Sequence, residues 1–218
     1  MQKHTSESGF GSPRIGKIQA LLGTLFLAVT GWKVEGVVPD IPKFVGILAP
    51  HTSNWDLPFI LAVMGGLGIK INWFGKKELF VWPVGGIFKW LGGIPIDRSF
   101  RRNVVQQTAQ TIREREQIVI GIAPEGTRSQ TSHWNTGFYH IASLAQVPIV
   151  FGYLDYARKV GGFGPMMRTT GNIEADMKVI REFYSGITAK YPDNVGEMLV
   201  SEHTRFLDAD QDSQHEKK

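Results

Sequence analysis

Apolar residues fall into short runs separated by polar turns, and the period of each run predicts an element. Phe44-Val45-Gly46-Ile47-Leu48-Ala49 is a continuous apolar run of strand length. Ile118-Val119-Ile120-Gly121-Ile122-Ala123 repeats it, β-branched and uncharged. Unbroken runs of this kind read as strands buried on both faces. Val147 to Tyr153 is a third strand, whose Pro148 predicts an edge position or a strand start. Gly93 to Arg98 reads as a short fourth, delivering Arg98 at its end.

Helical spacing appears between these runs. Leu57 to Met64 starts a helix directly after the first strand, with Ser53 or Asn54 as its expected cap. Asn103 to Gln117 places Val104, Val105, Ala109 and Ile112 inward and leaves Arg113 to Glu116 in solvent. Thr136 heads a helix to Gln146, and Asn172 caps another through Tyr184 with Glu174 and Asp176 in its first turn. Gly161 to Gly164 is expected to be a flexible loop.

Near the N-terminus, Ile15, Ile18, Leu22, Leu25, Phe26, Val29 and Trp32 recur at helical spacing, with Arg14 and Lys17 at the entry. The apolar part, Ala20 to Val29, is too short to span a bilayer. It fits a helix packed on the core or an interfacial helix in the headgroup region. A secretory signal fits less well, because the basic region starts late and no small-x-small cleavage site follows. Residues 1–14 are expected to be mobile, 15–200 to form a single domain, and 201–218 to be a polar tail with little order.

Composition narrows the chemistry. The chain has 218 residues, 42% of them hydrophobic, enough for one sizeable core. It has no cysteine, which removes thiolate catalysis, disulfides and cysteine zinc sites. A net charge of +4 from 24 basic and 20 acidic residues does not indicate a nucleic-acid partner. The positive charge is uneven, however. Between Lys70 and Arg102, Trp73, Phe74, Phe80, Trp82, Phe88, Trp90 and Phe100 are interleaved with lysines and arginines, opposed only by Glu78 and Asp97. Amphipathic rings and long basic stems suit a membrane–water interface. Ordinary core filling is the competing reading for most of these aromatics.

Candidate chemistry sits at two strand ends. His51-Thr52-Ser53-Asn54-Trp55-Asp56 follows the first strand. On one ideal helix, side chains five apart are rotated by roughly 140° and do not meet. With His51 on the loop and Asp56 in the first turn they can, and a carboxylate on one ring nitrogen leaves the other as a base. A surface cap is the alternative. Pro124-Glu125-Gly126-Thr127-Arg128-Ser129 follows the second strand. Gly126 permits close backbone approach, and Arg128 offers a fork of donors suited to phosphate. A tight turn with a structural Glu–Arg pair is the alternative there. Ligands in open α/β sheets bind outside the carboxyl ends of strands, so the two motifs can share one crevice.

In order, His51 to Asp56, Ile94 to Arg98, Pro124 to Ser129 and Val147 to Val150 resemble the four sequence blocks of the glycerolipid acyltransferase family, which includes bacterial 1-acylglycerol-3-phosphate acyltransferases. The resemblance covers about Phe44 to Tyr156. It implies an α/β fold with a twisted, mostly parallel central sheet flanked by helices and an N-terminal amphipathic helix. It implies an enzyme that moves an acyl group from acyl-CoA or acyl carrier protein to the hydroxyl of a lysophospholipid, with no cofactor and no metal. By carry-over His51 is the base, Asp56 orients it, and Arg98, Glu125, Gly126, Thr127 and Arg128 line the phosphate or headgroup site. The implied partner is a membrane surface, at its cytoplasmic face.

The sequence departs from the family pattern at Pro50, Ala123 and Asn135. Asn135 stands where a basic residue is common, which opens the acceptor to lysolipids other than glycerol phosphates, such as aminoacyl lipids. No Gly-x-Ser-x-Gly elbow and no His-Glu-x-x-His cluster is present, so serine and metallohydrolase readings lack their motifs. A peripheral membrane-binding module with an inactive site is the non-enzymatic alternative.

Overall fold

The computed structural model of the chain describes residues 11–96 and 101–200. Helix α1 (Lys17–Thr30) is followed by strands β1 (Lys33–Gly36) and β2 (Lys43–Ala49) and helix α2 (Asp56–Leu67). Next come β3 (Asn72–Lys76), a single 3-10 turn over Lys77–Phe80, α3 (Gly85–Trp90), β4 (Gly93–Ile96), α4 (Arg101–Glu114) and β5 (Ile118–Ile122). The chain continues through β6 (His133–Trp134), α5 (Gly137–Ala145), β7 (Ile149–Asp155), β8 (Val160–Met167), α6 (Ile173–Tyr184) and β9 (Leu199–Val200).

Seven strands form one sheet in the order β1-β8-β7-β2-β5-β3-β4, and β6 pairs separately with β9. From β7 across to β4 all neighbours are parallel, while β8 runs antiparallel to β7. The expected mostly parallel sheet is therefore present. β2 lies near its centre, and alternate residues of it serve opposite faces. Val45, Ile47 and Ala49 pack with Ile112, Phe138 and Ile180 beneath α4, α5 and α6. Phe44 and Leu48 pack with Leu27, Phe59 and Val63 beneath α1 and α2. Burial on both sides explains why β2 and β5 read as unbroken apolar runs.

The glycine-rich segment corrects a sequence expectation. Gly161 to Gly164 is no loop but the middle of β8, paired with β1 on one side and β7 on the other. Its glycines mark close approach: a Cβ on Gly162 would lie 1.7 Å from the Glu35 carbonyl oxygen. β1 and β3 had no clear periodic signal. Trp73, in β3, is core filling, and its indole N–H donates to the Leu91 carbonyl. Pro148 marks the start of β7, an interior strand, and its carbonyl accepts from Val45 N–H.

Helix α1 forms as its spacing predicts, and the face it buries is narrow. Gly23 and Leu27 are its buried residues, packed toward α2. Of the stripe that marked the helix in the sequence, Ile18, Leu22, Leu25 and Val29 are exposed, whereas Phe26 packs on Phe59 of α2. Arg14 bridges to Ile69, and the Pro13 carbonyl accepts from Lys70 N–H, tying the entry to α1 against the end of α2. The expectations for residues 1–10, for Arg98 and for 201–218 lie outside the described residues.

Candidate active site

Because β2 and β5 are parallel neighbours in register, Phe44 beside Val119 and Ile47 beside Ile122, their carboxyl ends emerge side by side. β7 flanks β2 on the other side. The loops after these three strands therefore meet at one edge of the sheet, where ligand sites of open α/β sheets form.

Asp56 is 1% exposed and heavily bonded. Its Oδ2 accepts from the backbone N–H groups of Thr52 and Ser53, both at 2.8 Å, and stands 3.1 Å from His51 Nδ1. Its Oδ1 accepts from the Tyr156 hydroxyl at 2.7 Å. Burial acts to raise this carboxyl, but the hydrogen bonds from His51, Tyr156 and Ser53 outweigh it and hold Asp56 below the usual carboxylate range. Asp56 is thus an anion at neutral pH. The cap expected from Ser53 or Asn54 is not realised. Trp55 occupies the cap position without a side-chain bond, and Asp56 instead folds back onto the loop N–H groups that precede it. Ser53 Oγ accepts from Trp55 N–H within the same loop. Thr136 likewise occupies the cap of α5 but makes no capping bond.

The His51 side chain is 18% exposed. Its Nδ1 is turned to Asp56, and among the described residues nothing engages Nε2. Glu125, from the β5 loop, reaches across and accepts the His51 backbone N–H on Oε1 at 2.9 Å. Its Oε2 is buried without a partner among the described residues. Burial pushes the Glu125 carboxyl up from 4.5 to about 7. The alternative of a structural Glu–Arg pair is not realised: Glu125 turns inward, while Arg128 is exposed with its guanidinium unpaired among the described residues.

Gly126 holds φ +66°, a left-handed turn that suits glycine, and a Cβ there would meet Asn135 Nδ2 at 2.8 Å. That same Asn135 amide donates to the carbonyls of Pro124 and Glu125 and pins the turn from behind. Thr127 is exposed, and its Oγ1 accepts from Ser129 N–H. The structure thus brings His51, Asp56 and Glu125 together and sets Gly126, Thr127 and Arg128 on the turn beside them.

Two participants escaped the sequence reading. Tyr156 lies just beyond β7, three residues past the strand end that the sequence predicted, and its place in the loop gave no signal. Lys190 had none: it stands in a loop after α6, yet its Nζ lies 5.4 Å from the Tyr156 ring centroid. No group of three or more His, Asp or Glu side chains arranged to hold a metal occurs among the described residues.

An α/β fold with a histidine–aspartate pair where a central strand meets a helix, and a Glu-Gly-Thr-Arg turn on the neighbouring strand end, defines the class. The chain belongs to the Acyltransferase family, matching it over residues 38–151, a little over half of its length, and is an acyltransferase. Among solved structures it is similar to the 1-acyl-sn-glycerophosphate (LPA) acyltransferase PlsC from Thermotoga maritima, at 18% identity and a TM-score of 0.53. The similarity covers 80% of this chain and 81% of that one, and it is a likeness of fold. No curated protein matches the chain.

Proposed function

We propose that this acyltransferase moves a fatty acyl group from an acyl thioester to the hydroxyl of a lysophospholipid such as 1-acylglycerol-3-phosphate, with His51 as general base and no covalent intermediate. The observation that carries this reading is the disposition of His51, whose Nδ1 faces a buried, ionised Asp56 and whose Nε2 is unengaged. Nε2 takes the proton of the acceptor hydroxyl as its oxygen attacks the thioester carbonyl. The C–S bond then breaks, and the imidazolium returns the proton to the departing thiolate. Asp56 stabilises the imidazolium and fixes which ring nitrogen is free. The thioester is already activated, so alignment and proton removal supply the catalysis.

The surroundings support a lipid substrate. An apolar cleft of about 290 Å³ lies between α1, α2 and α3, lined by Leu57, Pro58 and Leu61 at the start of α2 and by Leu22, Phe26 and Trp90 farther out. Its lining includes Leu57, next in the chain to Asp56, but none of His51, Asp56 and Glu125, and its apolar walls open beside an exposed apolar surface, a setting suited to an acyl chain. That surface comprises Ile18, Leu21, Leu25 and Val29 of α1 with Trp82 and Ile87 at α3, and Trp82 is 91% exposed. The two parts are tied by a bond from Gln19 Nε2 to the Trp90 carbonyl. Lys17, Lys76, Lys77 and Lys89 are exposed around it. An apolar face rimmed by lysines fits a peripheral seat on an anionic membrane, each lysine adding about 1 kcal/mol. No helix among the described residues is long and apolar enough to cross a membrane.

Arg98, Glu125, Gly126, Thr127 and Arg128 are the proposed headgroup site, with Arg128 a cation unpaired among the described residues and Glu125 the group that fixes the His51 backbone. A lysolipid without glycerol phosphate is the second reading, favoured by the neutral Asn135 at the back of this turn. Thiol release from acyl-CoA, followed with each lysolipid in turn, tests both readings. Release that depends on acceptor supports transfer and identifies the acceptor. Release without acceptor means thioester hydrolysis, and none with any lysolipid overturns the proposal.

A further inference from the structure

We propose that Lys190 is a phosphate-binding residue on the β7 side of His51, contacting the phosphate of one of the two substrates; this rests on the acyltransferase reading and deepens it. The residue belongs to none of the sequence blocks that mark the family. It is brought to the site by the loop after α6, which two backbone bonds staple in place. Tyr156 N–H donates to the Thr188 carbonyl at 2.9 Å, and Tyr191 N–H donates to Thr52 Oγ1 at 3.2 Å. Ala189 between them is buried. The loop is therefore anchored at once to the end of β7 and to the His51–Asp56 loop.

Three aromatic rings surround the ammonium. Lys190 Nζ lies 5.4 Å from the centroid of Tyr156, 5.9 Å from Trp55 and 6.0 Å from Tyr191. Each ring is attached to the catalytic loop: Trp55 precedes Asp56, Tyr156 donates to Asp56, and Tyr191 follows from the bond to Thr52. The rings fix the position of the charge without using its N–H donors. Among the described residues no carboxylate pairs with Lys190 and no acceptor takes its protons. A half-buried ammonium with spare donors, held against rings that belong or bond to the His51–Asp56 loop, is suited to a tetrahedral oxyanion.

The sheet order gives the arrangement its meaning. β2 lies between β7 and β5, so His51 has Lys190 on the β7 side and Arg128 on the β5 side. Acyl transfer brings two substrates to one imidazole, and both the phosphopantetheine thioester and a phosphate-bearing lysolipid carry phosphate. A cation on each side lets both be held at once. Lys190 also supplies, from a distant loop, positive charge that Asn135 does not bring to the turn after β5.

The test compares the full chain with Lys190→Gln and Lys190→Arg, measuring KM for acyl-CoA and for lysolipid separately, together with Tm and calorimetric affinity for coenzyme A and for glycerol 3-phosphate. Loss of one charged hydrogen bond to phosphate predicts a rise of about tenfold or more in one KM for Lys190→Gln, with kcat little changed. The matching probe should weaken in parallel, and Lys190→Arg should restore most of both. A rise for acyl-CoA with weaker coenzyme A binding assigns Lys190 to the donor; a rise for lysolipid with weaker glycerol 3-phosphate binding assigns it to the acceptor. Unchanged KM and affinities, or a lowered Tm and kcat with both KM values intact, reduce Lys190 to a structural role and overturn the proposal. Should Lys190→Gln not fold, the Lys190 side-chain NMR signal of the wild-type protein decides: a shift on adding either probe supports binding, and no shift with either overturns it. Probe binding is read without turnover, so a failure of the acyltransferase reading shows separately as absent thiol release.

Discussion

The backbone N–H of His51 donates to Oε1 of Glu125 across 2.9 Å, joining residues 74 positions apart in the chain. The bond locks the loop after β2 to the loop after β5. It also means that Glu125 bonds to His51 and not to Arg128 on its own turn. His51 is held by two carboxylates, Asp56 at its ring and Glu125 at its backbone, whose acidities are shifted in opposite directions. Asp56 is kept ionised by its donors, while burial brings Glu125 to about 7.

Replacement of His51 by Ala is expected to remove transfer and leave the fold. Its side chain is partly exposed and fills no core, so the fold should be kept, with Tm lowered only by the loss of one donor to the buried Asp56. Thiol release should fall by about 10²–10⁴-fold, the usual scale of general-base catalysis. Turnover near that of the wild type would rule His51 out as the base.

Tyr156→Phe keeps the ring and removes the hydroxyl that donates to Asp56 Oδ1 at 2.7 Å. An under-bonded buried carboxylate costs about 1–3 kcal/mol. Because Asp56 is depressed in the folded state, its stabilisation is present above its unfolded pKa and is lost as pH falls through the folded value. The variant should therefore unfold at higher pH on acidification, with a lower kcat/KM. Circular dichroism during acid titration checks the first, and an acid midpoint equal to the wild type would contradict the bond's contribution.

Glu125→Gln predicts the opposite dependence. The Glu125 carboxyl is raised from 4.5 to about 7, so its protonated form is favoured on folding, and that stability is lost as pH rises between those values. Wild-type protein should lose on the order of 3 kcal/mol across this window relative to Glu125→Gln, which retains an acceptor for His51 N–H and has no proton to lose. Denaturant unfolding of both proteins at pH 5 and about pH 8 measures the difference. Parallel stability curves would show that Glu125 does not titrate there.

The apolar face predicts a separable effect. Trp82→Ala combined with Leu25→Ala removes two exposed side chains that touch little of the core. Each is worth roughly 2 kcal/mol of membrane affinity when buried in lipid. Vesicle flotation should fall sharply while Tm stays constant, and undiminished flotation would move the membrane contact elsewhere.

The amino-acid order by itself determined the parts whose physics is local. Two unbroken apolar runs of strand length, one of them β-branched, read as buried strands, and the Asn172 cap followed from its side-chain acceptor, which takes Ala175 N–H. The pairing of His51 with Asp56 was legible because it is settled within one loop and one helical turn. Where spacing was ambiguous, only tertiary packing decided. Gly161 to Gly164 looks like a loop when read along the chain, because the requirement it meets, room for the β1 backbone, comes from residues far away in sequence. The stripe on α1 could not say whether it faced core or solvent, and the packing of Gly23 and Leu27 against α2 turned it outward. Tyr156 and Lys190 reached the site through strand order and a stapled loop, long-range contacts that leave no period in the sequence.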